Sequence, residues 1–206
     1  MNRYLFVIDY QNDFVDGALG FPGAEKLDSG IAAKVRAYGE GHVLFTRDTH
    51  FDNYLDTREG RLLPIVPCIK GPPGWELYGE TAVACAEVKA PAIDKLVFGM
   101  DVTDPATAAV LPESADEIEL VGLVSNICVV SNACVLQARY PEARIIVDAS
   151  LTASMDPVMH EKVLDVLEGF QVQVINRGKW KESMNKCNLI LFSYFPPFFL
   201  HNFRII

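Results

Sequence analysis

Short apolar runs alternate with longer segments of helical periodicity along most of this chain. Short runs bounded by turn residues are typical of buried strands, whereas apolar residues three or four positions apart indicate helices. Because the two kinds of segment alternate, the sequence predicts an α/β fold, a three-layer α/β/α sandwich with a central, mostly parallel six-stranded sheet. The predicted strands are Tyr4–Ile8, His42–Thr46, Lys95–Phe98, Ile118–Val121, Arg144–Val147 and Gln171–Ile175, and the predicted helices are Glu25–Tyr38, Pro105–Leu111, Asn126–Tyr140 and Pro157–Phe170.

The sequence divides into a domain over residues 1–178 and an apolar tail over residues 179–206. Within the domain, residues 49–90 are rich in proline and glycine, so we expect an irregular excursion that serves as a binding loop. The tail is interrupted by Pro196-Pro197 and His201, so we do not expect it to span a membrane. An apolar arm must bury its surface either on its own domain or on a second copy, and we expect a homo-oligomer.

Composition and charge exclude several classes of function. The formal net charge is −9 and no basic stripe is present, so nucleic acid is not an expected partner. The five cysteines are odd in number and form no C-x-x-C pair, which disfavours a disulfide framework and favours a reducing cytoplasm. We see no secretory signal, and no G-x-G-x-x-G follows the first predicted strand, so we expect no dinucleotide cofactor.

Cys128 is the strongest candidate for a catalytic residue. It follows the apolar run Ile118–Val121 and lies at the start of a predicted helix. The positive end of the helix dipole favours a thiolate at such a position, and the thiolate is the nucleophilic form of cysteine. The alternative is that Cys128 is a small side chain of the core.

Two charged residues adjoin other apolar runs. Asp9 ends the run Tyr4–Ile8, where open α/β sheets bind their ligands, and its carboxylate can act as a general base toward a nearby thiol. Lys95 opens a further apolar run, and close to a thiolate it would lower the thiol pKa and stabilise developing negative charge. The alternatives are a turn-forming aspartate and a solvated surface lysine.

Together these segments resemble the cysteine hydrolases of the isochorismatase-like superfamily, which includes the nicotinamidases. The resemblance runs from about Tyr4 to about Arg177, and the matching motifs are Asp9-Tyr-Gln-Asn-Asp-Phe14, Lys95-Leu-Val-Phe98 and Gly122-Leu-Val-Ser-Asn-Ile-Cys128. It implies hydrolysis of a small-molecule amide or related C–N bond through a thioester, with Asp9, Lys95 and Cys128 as the catalytic triad.

The resemblance also implies the surroundings of the triad. It places a non-proline cis peptide around Leu123–Val124 and an oxyanion hole of backbone N–H groups at Leu123, Val124 and Cys128. Phe14 and Phe98 are expected to wall the substrate pocket.

A metal site is partly retained in the motif Thr46-Arg-Asp48-Thr-His50, which resembles the family's T-R-D-W-H segment. Glu59 falls where a further ligand could lie, whereas Pro67 replaces the family's later histidine. Zinc or another divalent ion could bind Asp48, His50 and Glu59, but we expect that no cofactor is required. The alternative is that Asp48 and His50 hydrogen-bond each other and shape the pocket.

Two other functions stay open at this point. One is an isochorismatase-type ether hydrolase, which uses the aspartate as an acid and needs no cysteine. The other is a non-catalytic binding or scaffold protein that keeps the fold. Cys128 disfavours the first, and the complete Asp9–Lys95–Cys128 set disfavours the second.

Overall fold

The computed structural model describes residues 1–71 and 73–178. Its sheet has six strands, all paired in parallel, in the order β3-β2-β1-β4-β5-β6. The predicted six-stranded sheet is therefore confirmed. The strands are β1 (Arg3–Ile8), β2 (Val43–Asp48), β3 (Ala92–Lys95), β4 (Glu117–Leu123), β5 (Arg144–Ala153) and β6 (Gln173–Ile175).

Seven α-helices accompany these strands in the described residues. Two of them begin with a proline that directly follows Asp104 or Asp156, and both carboxylates accept hydrogen bonds from backbone N–H groups of the first turn. None of the described helices is long and apolar enough to cross a membrane. The helices are α1 (Asn12–Val15), α2 (Asp28–Tyr38), α3 (Arg58–Leu62), α4 (Gly79–Glu87), α5 (Pro105–Val110), α6 (Val130–Arg139) and α7 (Pro157–Gly169).

Alternate side chains of β1 separate two apolar cores. Leu5 and Val7 pack into a core that also contains buried residues of α2 and α4. Phe6 and Ile8 pack into a second core with buried residues of α6 and α7. Successive side chains of a strand point to opposite faces, so the helices cover both faces of the sheet and complete the three-layer sandwich.

The third strand differs from its prediction. It runs over Ala92–Lys95, so Lys95 ends the strand instead of opening it. Its pairing with β2 finishes where β2 finishes, at Asp48 opposite Lys95, and the side chains of Leu96 and Val97 beyond it are exposed. The apolar residues after Lys95 therefore belong to a surface loop, and the shift moves the lysine to the carboxyl edge of the sheet.

The expected irregular excursion over residues 49–90 is also corrected in part. It contains the short helix α3 and the longer helix α4, which places Ala84 and Cys85 in the core beside α2. The prolines that marked this segment as irregular lie before Gly79, where α4 begins. The apolar tail of residues 179–206 lies outside the described residues, so its packing stays a prediction.

Candidate active site at the carboxyl edge of the sheet

Neighbouring strands bring the charged candidate residues together. Asp9 follows β1, Asp48 ends β2 and Lys95 ends β3, and these three strands are adjacent in the sheet. Cys128 lies on the turn after β4, which flanks β1 on its other side. Parallel strands end at one edge, where open α/β sheets bind ligands, so the fold alone aligns these residues on a common site.

Lys95 is the centre of this cluster. Its Nζ lies 2.7 Å from Asp9 Oδ2, 3.1 Å from Asp48 Oδ1 and 3.6 Å from Cys128 Sγ. Asp9 is fully buried, and Lys95 and Cys128 are 3% and 4% exposed. The structure thus brings the three predicted triad residues into contact, screened from bulk water.

Asp9 is held in an unusual backbone conformation. Its φ is +44°, in the left-handed region that a residue other than glycine rarely adopts. Thr46 fixes the side chain, because its hydroxyl donates a 2.6 Å hydrogen bond to Asp9 Oδ1. The other oxygen, Oδ2, forms the ion pair with Lys95. One carboxylate oxygen is therefore held by a hydroxyl and the other by an ammonium.

Burial and charge act in opposite directions on these groups. Burial raises the pKa of Asp9, Lys95 opposes the rise, and the neighbouring Asp48 carboxylate adds to it. Burial disfavours the Lys95 ammonium, but Asp9, Cys128 and Asp48 raise its pKa well above the ordinary value. Lys95 consequently stays charged, and Asp9 is a stronger base than an exposed aspartate.

The thiol of Cys128 does not show the low pKa that its place at a helix start predicted. Burial raises its pKa well above the ordinary value, Lys95 lowers it, and Asp9 and Asp48 raise it further. The helix dipole acts only within the first turn and is outweighed by desolvation in a site this enclosed. The resting cysteine is therefore a thiol beside a base, and not a preformed thiolate.

The turn that carries Cys128 departs from a regular helix start. The Leu123–Val124 peptide bond is cis, and residues Ser125–Val129 form a π-helical turn in which Val124 O accepts the N–H of Val129. Gly122 has φ +107°, and a Cβ there would lie 2.1 Å from Ile8 O. Only glycine allows β4 to approach β1 this closely. The oxyanion-hole role of Leu123, Val124 and Cys128 stays a prediction.

Sequence reasoning missed several polar residues that brace the site. Gln11 donates to Asp48 O and Trp75 O and accepts the Asp48 N–H, which fixes the end of β2. The hydroxyl of Ser125 lies 3.0 Å from Nδ1 of His160 on α7, and both residues are buried. Gln11 and Ser125 lie inside the recognised motifs, so their positions were visible in the sequence although their partners were not.

The candidate metal ligands also converge. Donor atoms of Asp48, His50 and Glu59 all lie within 4.8 Å of one another, a spacing that fits a three-ligand site. His50 Nε2 lies 3.0 Å from Asp48 Oδ2 and 3.8 Å from Glu59 Oε1, so one imidazole nitrogen faces both carboxylates. Asp48 and His50 also hydrogen-bond each other, which is the arrangement expected from the alternative to a metal site. Pro67 is buried and its side chain has no ligand atom; the next residue, Cys68, accepts the His50 N–H through its carbonyl.

The two predicted pocket walls have different surroundings. Phe14, on α1, is almost buried and belongs to the core that contains Cys68. Phe98 lies on the loop after β3 and is 40% exposed, and its carbonyl accepts a hydrogen bond from Asn132. Their roles in a pocket stay predictions.

The fold is a three-layer α/β/α sandwich in which a buried aspartate, lysine and cysteine meet at the carboxyl edge of the sheet. Enzymes with open α/β sheets have their active sites at this edge. The chain belongs to the isochorismatase family, because the isochorismatase domain matches residues 3–178. No curated protein matches the sequence significantly.

Three solved structures with this fold are a nicotinamidase from Bacillus subtilis, a yeast nicotinamidase and an archaeal pyrazinamidase. The nicotinamidase PncA of Bacillus subtilis is 27% identical, with a TM-score of 0.73 over 84% of this chain and 99% of its own. The yeast nicotinamidase Pnc1p bound to the inhibitor nicotinaldehyde is 18% identical, with a TM-score of 0.69 over 85% and 100%. The pyrazinamidase of Pyrococcus horikoshii in complex with zinc is 20% identical, with a TM-score of 0.65 over 85% and 99%. Family membership and the Bacillus match support hydrolase activity for this chain.

Proposed function

We propose that this protein hydrolyses the amide or a related C–N bond of a small molecule through a thioester on Cys128. The proposal rests on the contacts of Lys95. Its buried ammonium lies 2.7 Å from the Asp9 carboxylate and 3.6 Å from the Cys128 sulfur. An acid, a base and a nucleophile in mutual contact are what acyl transfer needs. The nicotinamidase relatives support an amide as the substrate class.

The proposed first half-reaction begins with the neutral thiol. Asp9 accepts the thiol proton as the sulfur attacks the amide carbonyl, and a C–S bond forms while the carbonyl oxygen becomes an oxyanion. Backbone N–H groups of the turn over residues 123–128 stabilise that oxyanion. Collapse breaks the C–N bond, and the amine or ammonia leaves with the proton that Asp9 held. A thioester on Cys128 and an ionised Asp9 remain.

The second half-reaction releases the acid. Asp9 takes a proton from water, whose oxygen attacks the thioester carbonyl, and cleavage of the C–S bond gives a carboxylic acid and the thiolate. The thiolate recovers the proton from Asp9. Lys95 supports both halves, because its charge offsets the thiolate and balances Asp9 and Asp48 throughout.

A divalent ion has a place beside this chemistry. Asp48, His50 and Glu59 are the residues that would hold it, and the ion would act as a Lewis acid that orients a donor atom of the substrate. None of the proton or bond changes above passes through these three side chains.

The substrate class is best tested with a panel of small amides. We expect ammonia release from at least one of nicotinamide, ureido acids and carbamoylated amines, and intact-mass spectrometry after rapid acid quench should show an acyl adduct on wild-type protein. Cys128→Ala should lose both signals, with turnover reduced about 10⁴-fold or more, while circular dichroism shows an unchanged fold.

The same experiment separates the alternatives. An ether hydrolase would retain turnover of a vinyl-ether substrate after Cys128→Ala, because the sulfur takes no part in that reaction. A non-catalytic member of the fold would show neither ammonia release nor an adduct with any panel member. Either result contradicts the thioester proposal.

A further inference from the structure

Asn132 is a buried polar residue that the proposed chemistry does not use. It lies on α6, one turn beyond Cys128, and is fully buried. Its side chain makes three hydrogen bonds: Nδ2 donates to Cys128 O at 2.8 Å and to Phe98 O at 3.0 Å, and Oδ1 accepts from Met100 N at 2.9 Å. A single side chain therefore joins the backbone of the nucleophile's turn to the backbone of the loop after β3.

That loop, over residues 96–100, carries part of the lysine's environment. Lys95 immediately precedes it, and Lys95 Nζ donates a 3.2 Å hydrogen bond to Val97 O within it. Leu96 and Val97 are more than half exposed, so few side chains hold the first part of the loop in place. Backbone anchoring by Asn132 has correspondingly more influence on where the loop lies.

The loop also approaches α6 closely where Asn132 holds it. A Cβ at Gly99, between the two anchored residues, would lie 3.2 Å from Val135 Cγ2. The contacts form a closed path, from Lys95 through Val97 and Phe98 to Asn132, on to Cys128, and back across the 3.6 Å gap between sulfur and ammonium. Fixing the other members of such a path fixes the width of that gap.

We propose that Asn132 is a positioning residue that sets the spacing between the Lys95 ammonium and the Cys128 sulfur by clamping the loop of residues 96–100 to α6. This inference rests on the proposed function, because the spacing matters only if Cys128 is the nucleophile. Asn132 touches neither sulfur nor ammonium, and it acts through the two backbone segments that carry them.

Two substitutions test the clamp. Asn132→Asp keeps the acceptor for Met100 N but replaces the donor to Cys128 O and Phe98 O with a second acceptor, so both bonds are lost and the loop is repelled. Asn132→Ala removes the bonds without adding an acceptor. Ala133→Gly is the matched control, because it weakens the same buried stretch of α6 and leaves the clamp intact.

Turnover of the amide that wild-type protein hydrolyses fastest provides the first readout. We expect both Asn132 variants to lose at least tenfold in kcat with KM changed less than threefold. A misplaced lysine weakens stabilisation of the transition state more than binding of the substrate in the ground state. Ala133→Gly should keep kcat within twofold at a comparable melting temperature. Equal kcat losses in the control and the Asn132 variants would overturn the inference, as would a loss confined to KM.

Alkylation by iodoacetamide provides a readout that needs no substrate. The charges facing the Cys128 sulfur are Lys95, Asp9 and Asp48, and only Lys95 favours the thiolate. With the lysine displaced, we expect Cys128 to be alkylated at least fivefold more slowly in both Asn132 variants. Cys134, exposed on the same helix, should react at an unchanged rate and serves as the control within each molecule. An unchanged or faster alkylation rate at Cys128 would overturn the inference, because the loop would then only cover the thiol and would not position the lysine.

The remaining outcomes are also decisive. If neither Asn132 variant folds while Ala133→Gly does, Asn132 is a requirement of the fold and the inference is wrong. Full turnover in Cys128→Ala would instead contradict the proposed function, which the Asn132 measurements leave untouched. Normal kcat in the Asn132 variants beside an inactive Cys128→Ala would overturn the clamp alone.

Discussion

Two lysines of this molecule each lie between a pair of buried carboxylates. The Lys95 cluster consists of Lys95, Asp9 and Asp48, and the Lys34 cluster consists of Lys34 on α2, Glu119 on β4 and Asp148 on β5. Both place one cation against two anions, so charge composition alone does not distinguish a site from a structural ion network. The difference lies in what else each carboxylate contacts.

The Lys34 cluster is saturated with hydrogen bonds. Glu119 accepts from Tyr38, and Asp148 accepts from Ser150 and Asn176, in addition to the bonds from Lys34. In the Lys95 cluster, the ammonium that pairs with Asp9 Oδ2 also lies 3.6 Å from the Cys128 sulfur, so the ion pair includes a thiol. A network whose members bond only one another stabilises one arrangement, whereas a carboxylate beside a thiol has the capacity to move a proton.

Position in the sheet reinforces the distinction. Glu119 and Asp148 lie within their strands, where the neighbouring strand and α2 cover them. Asp9, Asp48 and Lys95 lie at strand ends, where loops replace neighbours and a substrate can enter. Paired substitutions in the two clusters can break this comparison or sharpen it.

The largest contrast is expected between the two aspartates. Asp9→Asn should lower turnover by roughly 10³-fold, because an amide cannot accept the thiol proton. Asp148→Asn should keep turnover within about threefold and lose stability instead, since a charged hydrogen-bond acceptor for Lys34 is removed. Ammonia-release kinetics and urea denaturation of both variants measure this, and a comparable loss of turnover in the two would erase the distinction between the clusters.

The two lysines should differ in the same sense. Lys95→Met is expected to reduce kcat by roughly 10²–10³-fold, the usual effect of removing one electrostatic stabiliser. Lys34→Met should leave kcat nearly unchanged but lower the free energy of unfolding by about 3–5 kcal/mol, because it leaves two buried carboxylates without their cation. Wild-type kinetics in Lys95→Met would place that lysine outside the reaction.

Sequence reasoning identified residues that meet at the carboxyl edge of the sheet better than it predicted their setting. Asp9 and Cys128 were identifiable because each follows a largely apolar run, and such runs become the inner strands of a parallel sheet. Lys95 was placed at the wrong end of its strand, because Leu96 and Val97 are apolar yet exposed, and a single sequence does not record exposure.

Other features depend on contacts between distant segments. The raised pKa of Cys128 results from burial among charges supplied by three strands, which no local pattern contains. Two of the three bonds of Asn132 join residues more than 30 positions apart in the chain, and an asparagine in a helix carries no signal of its partners. Helix α4 was not predicted, because the prolines and glycines before it made the whole segment look irregular.

A smaller contrast should appear in the pH dependence of stability. Although burial opposes ionisation, Lys34 and Ser150 hold the pKa of Asp148 below its ordinary value, so its contribution is present above the unfolded-state pKa of about 3.9 and lost only below it. Burial raises the pKa of Asp9, so its contribution is present below about pH 3.9 and lost as pH rises through the folded-state pKa.

Urea denaturation at a series of pH values between about 5 and 8 tests these opposite signs. Relative to wild type, Asp9→Asn should become more stable as pH rises, whereas the deficit of Asp148→Asn should stay constant. A deficit of Asp9→Asn that grows with pH would mean that folding stabilises the Asp9 carboxylate, so that Lys95 outweighs burial in setting the pKa of Asp9.

Metal removal should have the smallest effect. Asp48 and His50 already hold each other, and Lys95 shares the Asp48 carboxylate, so we expect dialysis against a chelator to change turnover less than about twofold. Elemental analysis of the purified protein is the control. A stoichiometric metal whose removal abolishes turnover would make Asp48 part of a metal centre. The Lys95 cluster would then differ from the Lys34 cluster by a bound ion as well as by its contacts.

The seclusion of Asp9, Lys95 and Cys128 has a consequence for the proton balance of the proposed reaction. The proton that leaves sulfur is held by a carboxylate within the same enclosure, and the departing amine removes it. Thioester formation therefore exchanges no proton with the solvent, and neither the concentration nor the chemical identity of the buffer should alter its rate. Water enters the proton inventory only in the second half-reaction. Any solvent isotope effect that changes with buffer concentration is therefore confined to deacylation.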